Sequence, residues 1–146
     1  MINPKDFFTV EQKTTIENAI KEAELNTSGE IRVHLAKKCG KDVLDCAADI
    51  FAQLKMHKTE QRNGVLFYLA VNTRQFAILG DVGINTKVPE DFWNDVKNEV
   101  ISNFKQEKFA EGLSKGIIMA GEKLKEHFPY QSDDVNELSD EISIGQ

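Results

Sequence analysis

The sequence predicts an α/β protein with a small mixed sheet, in which a parallel pair of strands is extended by an antiparallel hairpin. Residues 30–36 alternate polar and apolar side chains and are rich in branched residues, as in a strand with one buried face. Residues 65–71 are almost continuously apolar, as in a central strand covered on both faces. A helical pattern separates the two segments, which favours a right-handed crossover between parallel strands.

The first helix is predicted from its N-terminal capping signal. Thr9 and Gln12 form a capping box, and apolar residues follow at helical spacing. This helix should end near Asn26, before residues 27–29 break it. Residues 30–36 then form the first strand, with His34 on its polar face.

The remaining elements follow from periodicity and turn chemistry. A second helix is expected over residues 42–56, and residues 72–74 should turn the chain from the central strand into residues 75–79, forming a hairpin. Pro89 suits the first turn of a third helix. A fourth helix should begin near Lys108 and end before Pro129.

Composition indicates one globular domain and excludes several functions. The chain has 146 residues, 40% hydrophobic and 29% charged, which suffices for a core without a disulfide or structural metal. A net charge of −6 argues against a nucleic-acid partner. No export signal or membrane span is recognisable, so we expect a cytoplasmic protein with no membrane partner. Cys39 and Cys46 lack a metal or redox spacing and are expected to be reduced thiols.

The chain divides into a single domain over residues 1–130 and an acidic tail over residues 131–146. Five carboxylates in the tail have no Lys or Arg to balance them: Asp133, Asp134, Glu137, Asp140 and Glu141. Such a segment is either a solvated tail or one that folds back and lends carboxylates to a cation.

The predicted topology brings polar residues to one edge of the sheet. If the first two strands are parallel, their N-terminal ends lie together, and the hairpin returns the end of the third strand to the same edge. Five side chains should therefore lie within reach of a common point: Glu30, Arg62, Asn63, Asp81 and Asn85.

Carboxylate and amide oxygens at this edge suit a hard cation, Ca²⁺ or Mg²⁺. A phosphate could bridge that cation and the N-terminus of the Pro89 helix. Two alternatives stay open, because Asp81 between Gly80 and Gly83 also fits ordinary turn chemistry, and Arg62 could neutralise Asp81 rather than contact a substrate. No nucleophile motif is present.

Four blocks, in this order along the chain, resemble the TPM domain family: residues 28–33, 62–66, 76–85 and 109–117. The resemblance covers essentially the whole chain and is to the small bacterial type. It implies a three-layer α/β/α sandwich with helices on both faces of the sheet. Some members, notably plant thylakoid proteins, are described as acid phosphatases and bind calcium, whereas many bacterial members have no settled activity.

The resemblance places family positions on the same edge, at Asn63-Gly64 and at residues 80–85. Many relatives have an acidic or amide residue where this chain has Arg62, and a glutamate where it has Asn85. We expect a divalent-cation-binding domain, with the metal held by Asp81, Glu30, Asn63, Asn85 and Asp134. The alternatives are a metal-dependent acid phosphatase, with Asp81 and Arg62 acting on phosphomonoesters, and a non-catalytic module that binds another protein.

Overall fold

The sheet has four strands in the order β3-β2-β1-β4. The structure is a computed structural model that describes residues 1–131 and 136–145. β1 (Glu30–Ala36) pairs in parallel with β2 (Gly64–Ala70), which pairs antiparallel with β3 (Gln75–Gly80). β4 (Ser143–Ile144) pairs in parallel with the other edge of β1. The predicted parallel pair and hairpin are confirmed.

Five α-helices pack on this sheet: α1 (Val10–Glu24), α2 (Val43–Gln53), α3 (Val82–Asn85), α4 (Asn94–Lys105) and α5 (Phe109–Leu124). Short 3₁₀ turns occupy Pro4–Asp6 and Met56–Lys58. Because side chains alternate along a strand, β2 supplies Phe67 to one core and Tyr68 to the other. The first core is closed by α1, α4 and α5 and the second by α2. The predicted three-layer sandwich is confirmed.

The first helix begins where the capping signal places it. The Thr9 hydroxyl accepts the Gln12 N–H at 3.1 Å, and the Gln12 side chain accepts the Thr9 N–H at 2.9 Å. The second helix is shorter than expected. It ends at Gln53, because Lys55 adopts a left-handed conformation with φ of 55° and the chain continues as a 3₁₀ turn.

The third long helix does not begin at Pro89, and that prediction is wrong. The Phe92 N–H donates to the Pro89 carbonyl and the Asn94 N–H to the Asp91 carbonyl, so successive i→i+3 turns occupy this stretch. α4 itself starts at Asn94. No helix N-terminus therefore lies beside Pro89 to bind a phosphate.

The two cysteines are not reduced thiols, and that expectation is corrected as well. Cys39 and Cys46 form a disulfide, with their Cα atoms 6.2 Å apart. After β1 the chain turns back on itself, which places Cys39 against the first turns of α2. Proximity of this kind depends on the path of the loop, and the seven-residue spacing alone does not show it.

Part of the acidic segment also belongs to the fold. Residues 136–145 run along the outer edge of β1, and Ser143 and Ile144 pair with His34 and Leu35. This strand was not predictable from the sequence, because two residues are too few to show alternation. Within its described part, the segment folds back onto the domain.

Candidate functional site

The edge at the start of β1 and β2 and the end of β3 is the place where predicted site residues meet. Glu30 pairs with Gly64, and the Glu30 N–H donates to the Asn63 carbonyl at 3.2 Å. Gly80 pairs with Val65, and the Asp81 N–H donates to the Gly64 carbonyl at 2.9 Å. Backbone register therefore brings Glu30, Asn63 and Asp81 to one edge.

Asp81 is bound to Arg62 by two hydrogen bonds. Arg62 Nε lies 2.8 Å from Asp81 Oδ2 and Arg62 Nη2 lies 2.9 Å from Asp81 Oδ1. Oδ1 also accepts the Val82 N–H at 2.7 Å, and the Asp81 side chain is 6% exposed. Charge neutralisation and three donors make this carboxylate a poor cation ligand. The geometry matches the alternative in which Arg62 neutralises Asp81.

The loop that carries Arg62 is locked against the start of α3. Gly83 donates its N–H to the Arg62 carbonyl at 2.9 Å. A Cβ atom at Gly83 would lie 2.2 Å from the Gln61 carbonyl oxygen, so only glycine allows this approach. The glycine-bounded segment thus serves a tight backbone contact.

Asn63 and Asn85 also tie loops together. The Asn85 amide donates to the Gly80 carbonyl at 3.0 Å. Asn63 is buried, its N–H donates to the Thr59 hydroxyl at 3.2 Å, and its side-chain amide lies 3.5 Å from Ser28 Oγ. Asp134 lies outside the described residues. Of the five predicted metal ligands, Asp81, Asn63 and Asn85 make structural contacts.

Glu30 is directed toward the acidic C-terminal segment. Its Oε1 accepts the backbone N–H groups of Glu137 and of Leu138, the latter at 2.7 Å. Glu30 is buried, and burial raises the pKa of its carboxyl to about 7 against the opposing effect of these two N–H donors. The Glu137 carboxylate raises this pKa further.

A second carboxyl pair lies beside Glu30. Burial raises the pKa of Glu24 to about 9, and a hydrogen bond to the Asp140 side chain and the negative charge of Asp140 add to the shift. Glu24 Oε2 also accepts the Ile31 N–H at 3.3 Å. Glu24 is therefore protonated at neutral pH. Asn136 donates its side-chain amide to Asp140 Oδ1 at 3.2 Å.

A cavity of about 270 Å³ lies between the end of α1, the start of β1 and the C-terminal segment, and its polar lining includes Glu24, Glu30, Asn136 and Asp140. Glu137 is next to this cavity, where its N–H donates to Glu30. Lys21 also lines the cavity. Within residues 1–131 and 136–145, no Lys or Arg forms an ion pair with the four carboxyl groups gathered here, which are those of Glu24, Glu30, Glu137 and Asp140. We call this set the carboxyl cluster.

The model of the TPM domain family matches residues 1–123 of the chain. The chain belongs to the TPM domain family. A solved relative is the BA42 protein from the psychrophilic bacterium Bizionia argentinensis, whose NMR structure is 48% identical with a TM-score of 0.92 and covers 99% of this chain and 100% of that one. No curated protein matches the chain. No helix in the described residues is long and apolar enough to cross a membrane.

Two more distant solved structures share the fold alone. The N-terminal domain of a P. gingivalis protein is 17% identical, with a TM-score of 0.68, over 86% of this chain and 82% of that one. The N-terminal domain of a Corynebacterium glutamicum protein is also 17% identical, with a TM-score of 0.62, over 88% and 79% of the two chains. The sandwich therefore persists where little sequence identity remains.

The family resemblance implies a divalent cation, and only some of the carboxylates in this TPM domain fit one. Among the described residues, no group of three or more His, Cys, Asp or Glu side chains is arranged to hold a metal ion. Asp81 does not fit, because Arg62 already neutralises it. Glu24 and Asp140 fit a loosely held, hydrated cation, since Mg²⁺ is commonly bound through one or two carboxylates and keeps several waters.

Sequence reasoning missed Glu24 and singled out Asp140 only as one of the tail acids. Glu24 occupies the last turn of α1, where an exposed glutamate is ordinary, and nothing local marks it as buried. The only signal in the sequence was the excess of carboxylates after Pro129, which is compatible with a segment that folds back onto the domain. Its partner on the domain surface could be identified only from the path of the chain.

Proposed function

We propose that this TPM domain binds a divalent cation, Ca²⁺ or Mg²⁺, in the cavity lined by the carboxyl cluster. The observation that carries the proposal is that Glu24 and Asp140 line the same cavity and that neither has a Lys or Arg partner among the described residues. The pair would supply the charged ligands, the Asn136 amide is adjacent, and Glu30 adds negative potential.

The charge balance of the cluster favours a cation. Burial raises the pKa of Glu24 to about 9, and the neighbouring Asp140 carboxylate contributes to that shift because two adjacent negative charges repel each other, so Glu24 carries a proton at neutral pH. A divalent cation would replace that proton and remove the repulsion, because it is attracted by both carboxylates. Since Glu24 belongs to α1 and Asp140 to the C-terminal segment, the bound ion would join the two.

Other ligands and other activities receive less support from the geometry. Asp81 and Arg62 bind each other, so a phosphatase that uses both on a phosphomonoester would first have to break a bidentate ion pair. Of the ligands predicted from the sequence, the proposed site retains Glu30. Glu24 and Asp140 take the place of Asp81 as the charged ligands. A module that binds another protein remains compatible with a cation that orders the C-terminal segment.

Titration of the full chain with CaCl₂ or MgCl₂, followed by backbone amide chemical shifts, tests this proposal. We expect saturable shifts at residues 24, 30, 31 and 136–141, with a dissociation constant on the order of millimolar, because only two carboxylates bind the ion. Glu24→Gln and Asp140→Asn should each weaken binding by about tenfold or more, because each removes one of the two charges.

Glu126→Gln is the matched control, because it removes one carboxylate from the exposed surface after α5 and should leave the affinity unchanged. Absence of shifts around the cavity at 10 mM of either salt (about ten times the expected constant) would exclude the proposed site. Chemical shift changes confined to residues 59–64 and 80–90 would instead place the ion at the edge of the sheet where β3 ends, beside Asp81.

A further inference from the structure

At the opposite end of the sheet a cavity of about 320 Å³ opens beside the β2–β3 hairpin. Its buried wall consists of Leu69, Val71 and Phe76, at the end of β2 and the start of β3. This cavity is separate from the carboxyl cluster, and its lining includes none of the residues proposed to bind the cation.

Aromatic rings make the remaining walls. Phe104 packs edge-to-face against Phe76, with ring centroids 5.4 Å apart. The Phe109 ring centroid lies 5.0 Å from that of Phe104 and 5.2 Å from that of Phe7. Phe7, Phe104 and Phe109 are only partly buried, so their faces remain accessible from the cavity. Apolar surface of this kind, rimmed by polar groups, is typical of a small-molecule pocket.

The mouth of the cavity carries two positive charges. Arg74 and Lys105 line it, and the Arg74 guanidinium lies 5.6 Å from the centroid of the Phe109 ring. Arg74 has φ of 53° in the hairpin turn, a left-handed conformation that costs an ordinary residue about 1 kcal/mol. The guanidinium lies at the mouth of an apolar cavity, and no buried acid among the described residues forms an ion pair with it.

One carboxylate already reaches this guanidinium. Glu107 Oε1 lies 3.7 Å from Arg74 Nη2, with both side chains mostly exposed. Glu107 itself has φ of 60°. Such a long, solvated pair contributes little to stability, so another carboxylate can replace Glu107 at small cost.

We propose that this cavity binds a small amphiphilic anion, with an apolar chain or ring among Phe76, Phe104 and Phe109 and a carboxylate head held by Arg74 and Lys105. Charge complementarity selects this occupant, because a carboxylate head would make charge-assisted hydrogen bonds with Arg74 and Lys105 that an uncharged apolar molecule cannot make. At 320 Å³ the cavity has the size of the smallest ligand pockets, which suits a medium-chain carboxylate.

Sodium octanoate and 1-octanol, titrated separately into the full chain, test the proposal through backbone amide shifts. Both should shift residues 69–76 and 101–109, and octanoate should bind about fivefold tighter or more, because only its head group makes charge-assisted hydrogen bonds. Arg74→Gln combined with Lys105→Gln should abolish that preference while leaving the affinity for octanol unchanged.

Glu107→Gln provides a test in the opposite direction, since removing the competing carboxylate should tighten octanoate binding and not octanol binding. Ile101→Trp should weaken both ligands by filling the cavity, and Lys125→Gln, a remote charge change, should alter neither. Equal binding of octanoate and octanol to the wild-type chain would overturn the proposal. So would shifts spread over the surface, or no shifts at either ligand's solubility limit.

Discussion

His34 illustrates how one buried side chain links the sheet to the C-terminal segment. Its Nδ1 lies 2.9 Å from the Ser143 hydroxyl, and its ring stacks on Tyr68 with centroids 5.8 Å apart. Burial, together with a smaller effect of the positive charge of Arg32, lowers the pKa of His34 to about 4. The imidazole is therefore neutral in the folded protein at neutral pH.

This pKa predicts a loss of stability in acid. Because the folded pKa lies below the ordinary value of 6.5, the unfolded chain takes up a proton first, and His34 stabilisation falls between about pH 6.5 and pH 4. The full loss is about 3 kcal/mol. We expect the difference in free energy of unfolding between wild type and His34→Gln, measured by urea denaturation, to decrease across this window. A constant difference would show that His34 does not titrate in this way.

At the scale of elements, α1 and α5 approach each other closely at Gly121. A Cβ atom there would lie 2.8 Å from both Cα and Cβ of Ala23, and neither atom can rotate away. The two helices thus pack backbone against backbone, on the face that closes the larger core.

Gly121→Ala should therefore destabilise the protein although alanine favours helices by about 1 kcal/mol. We expect a net loss of at least about 1 kcal/mol, since overpacking forces the helices apart. Gly40→Ala is the matched control, because its Cβ atom meets nothing within 4 Å, and it should change stability by less than about 0.5 kcal/mol. Thermal unfolding of both variants measures the two effects, and equal stability of the two variants would contradict close packing at Gly121.

Elements with strong local signals were predictable from the sequence, and those fixed by tertiary contacts were not. The capping box of α1, the buried run of β2 and the polar turn before β3 gave correct elements because propensity, periodicity and fold agree there. Pro89 misled the prediction, since proline suits a turn as well as the first turn of a helix. The disulfide and β4 depend on where distant parts of the chain meet.

The candidate site was predictable only in part, for the same reason. Strand register follows from topology, so the sequence could place Glu30, Asn63 and Asp81 at one edge. It could not show that Arg62 would neutralise Asp81 rather than face a ligand. Nor could it pair Glu24 with Asp140, which are 116 residues apart in the numbering of the chain.

At the scale of the whole molecule, the acidic segment is held by carboxyl groups with raised pKa values. Such groups stabilise the folded arrangement while protonated, so their contribution is lost as pH rises from about 4.5 through 7 for Glu30 and through 9 for Glu24. Among the described residues that line this cavity, Lys21 is the one basic residue, and it forms no ion pair with the carboxyl groups there.

We therefore expect amide hydrogen exchange in residues 136–145, after correction for the intrinsic pH dependence, to accelerate between pH 6 and pH 9, the window set by the raised pKa values of Glu30 and Glu24. Exchange in α5 should stay unchanged. Saturating CaCl₂ should suppress the acceleration, because the cation replaces the lost protons. Exchange in this segment that is independent of pH would contradict the predicted role of the two carboxyl groups.

The short pairing of β4 has a consequence for how the domain avoids self-association. β4 covers β1 at only two residue pairs, yet without it the edge of β1 would present unpaired N–H and C=O groups beside fully buried apolar side chains. An edge of that kind can add a strand from a second molecule. β4 covers this edge, so we expect a protein shortened before Ser143 to self-associate increasingly as its concentration rises, which sedimentation velocity would measure.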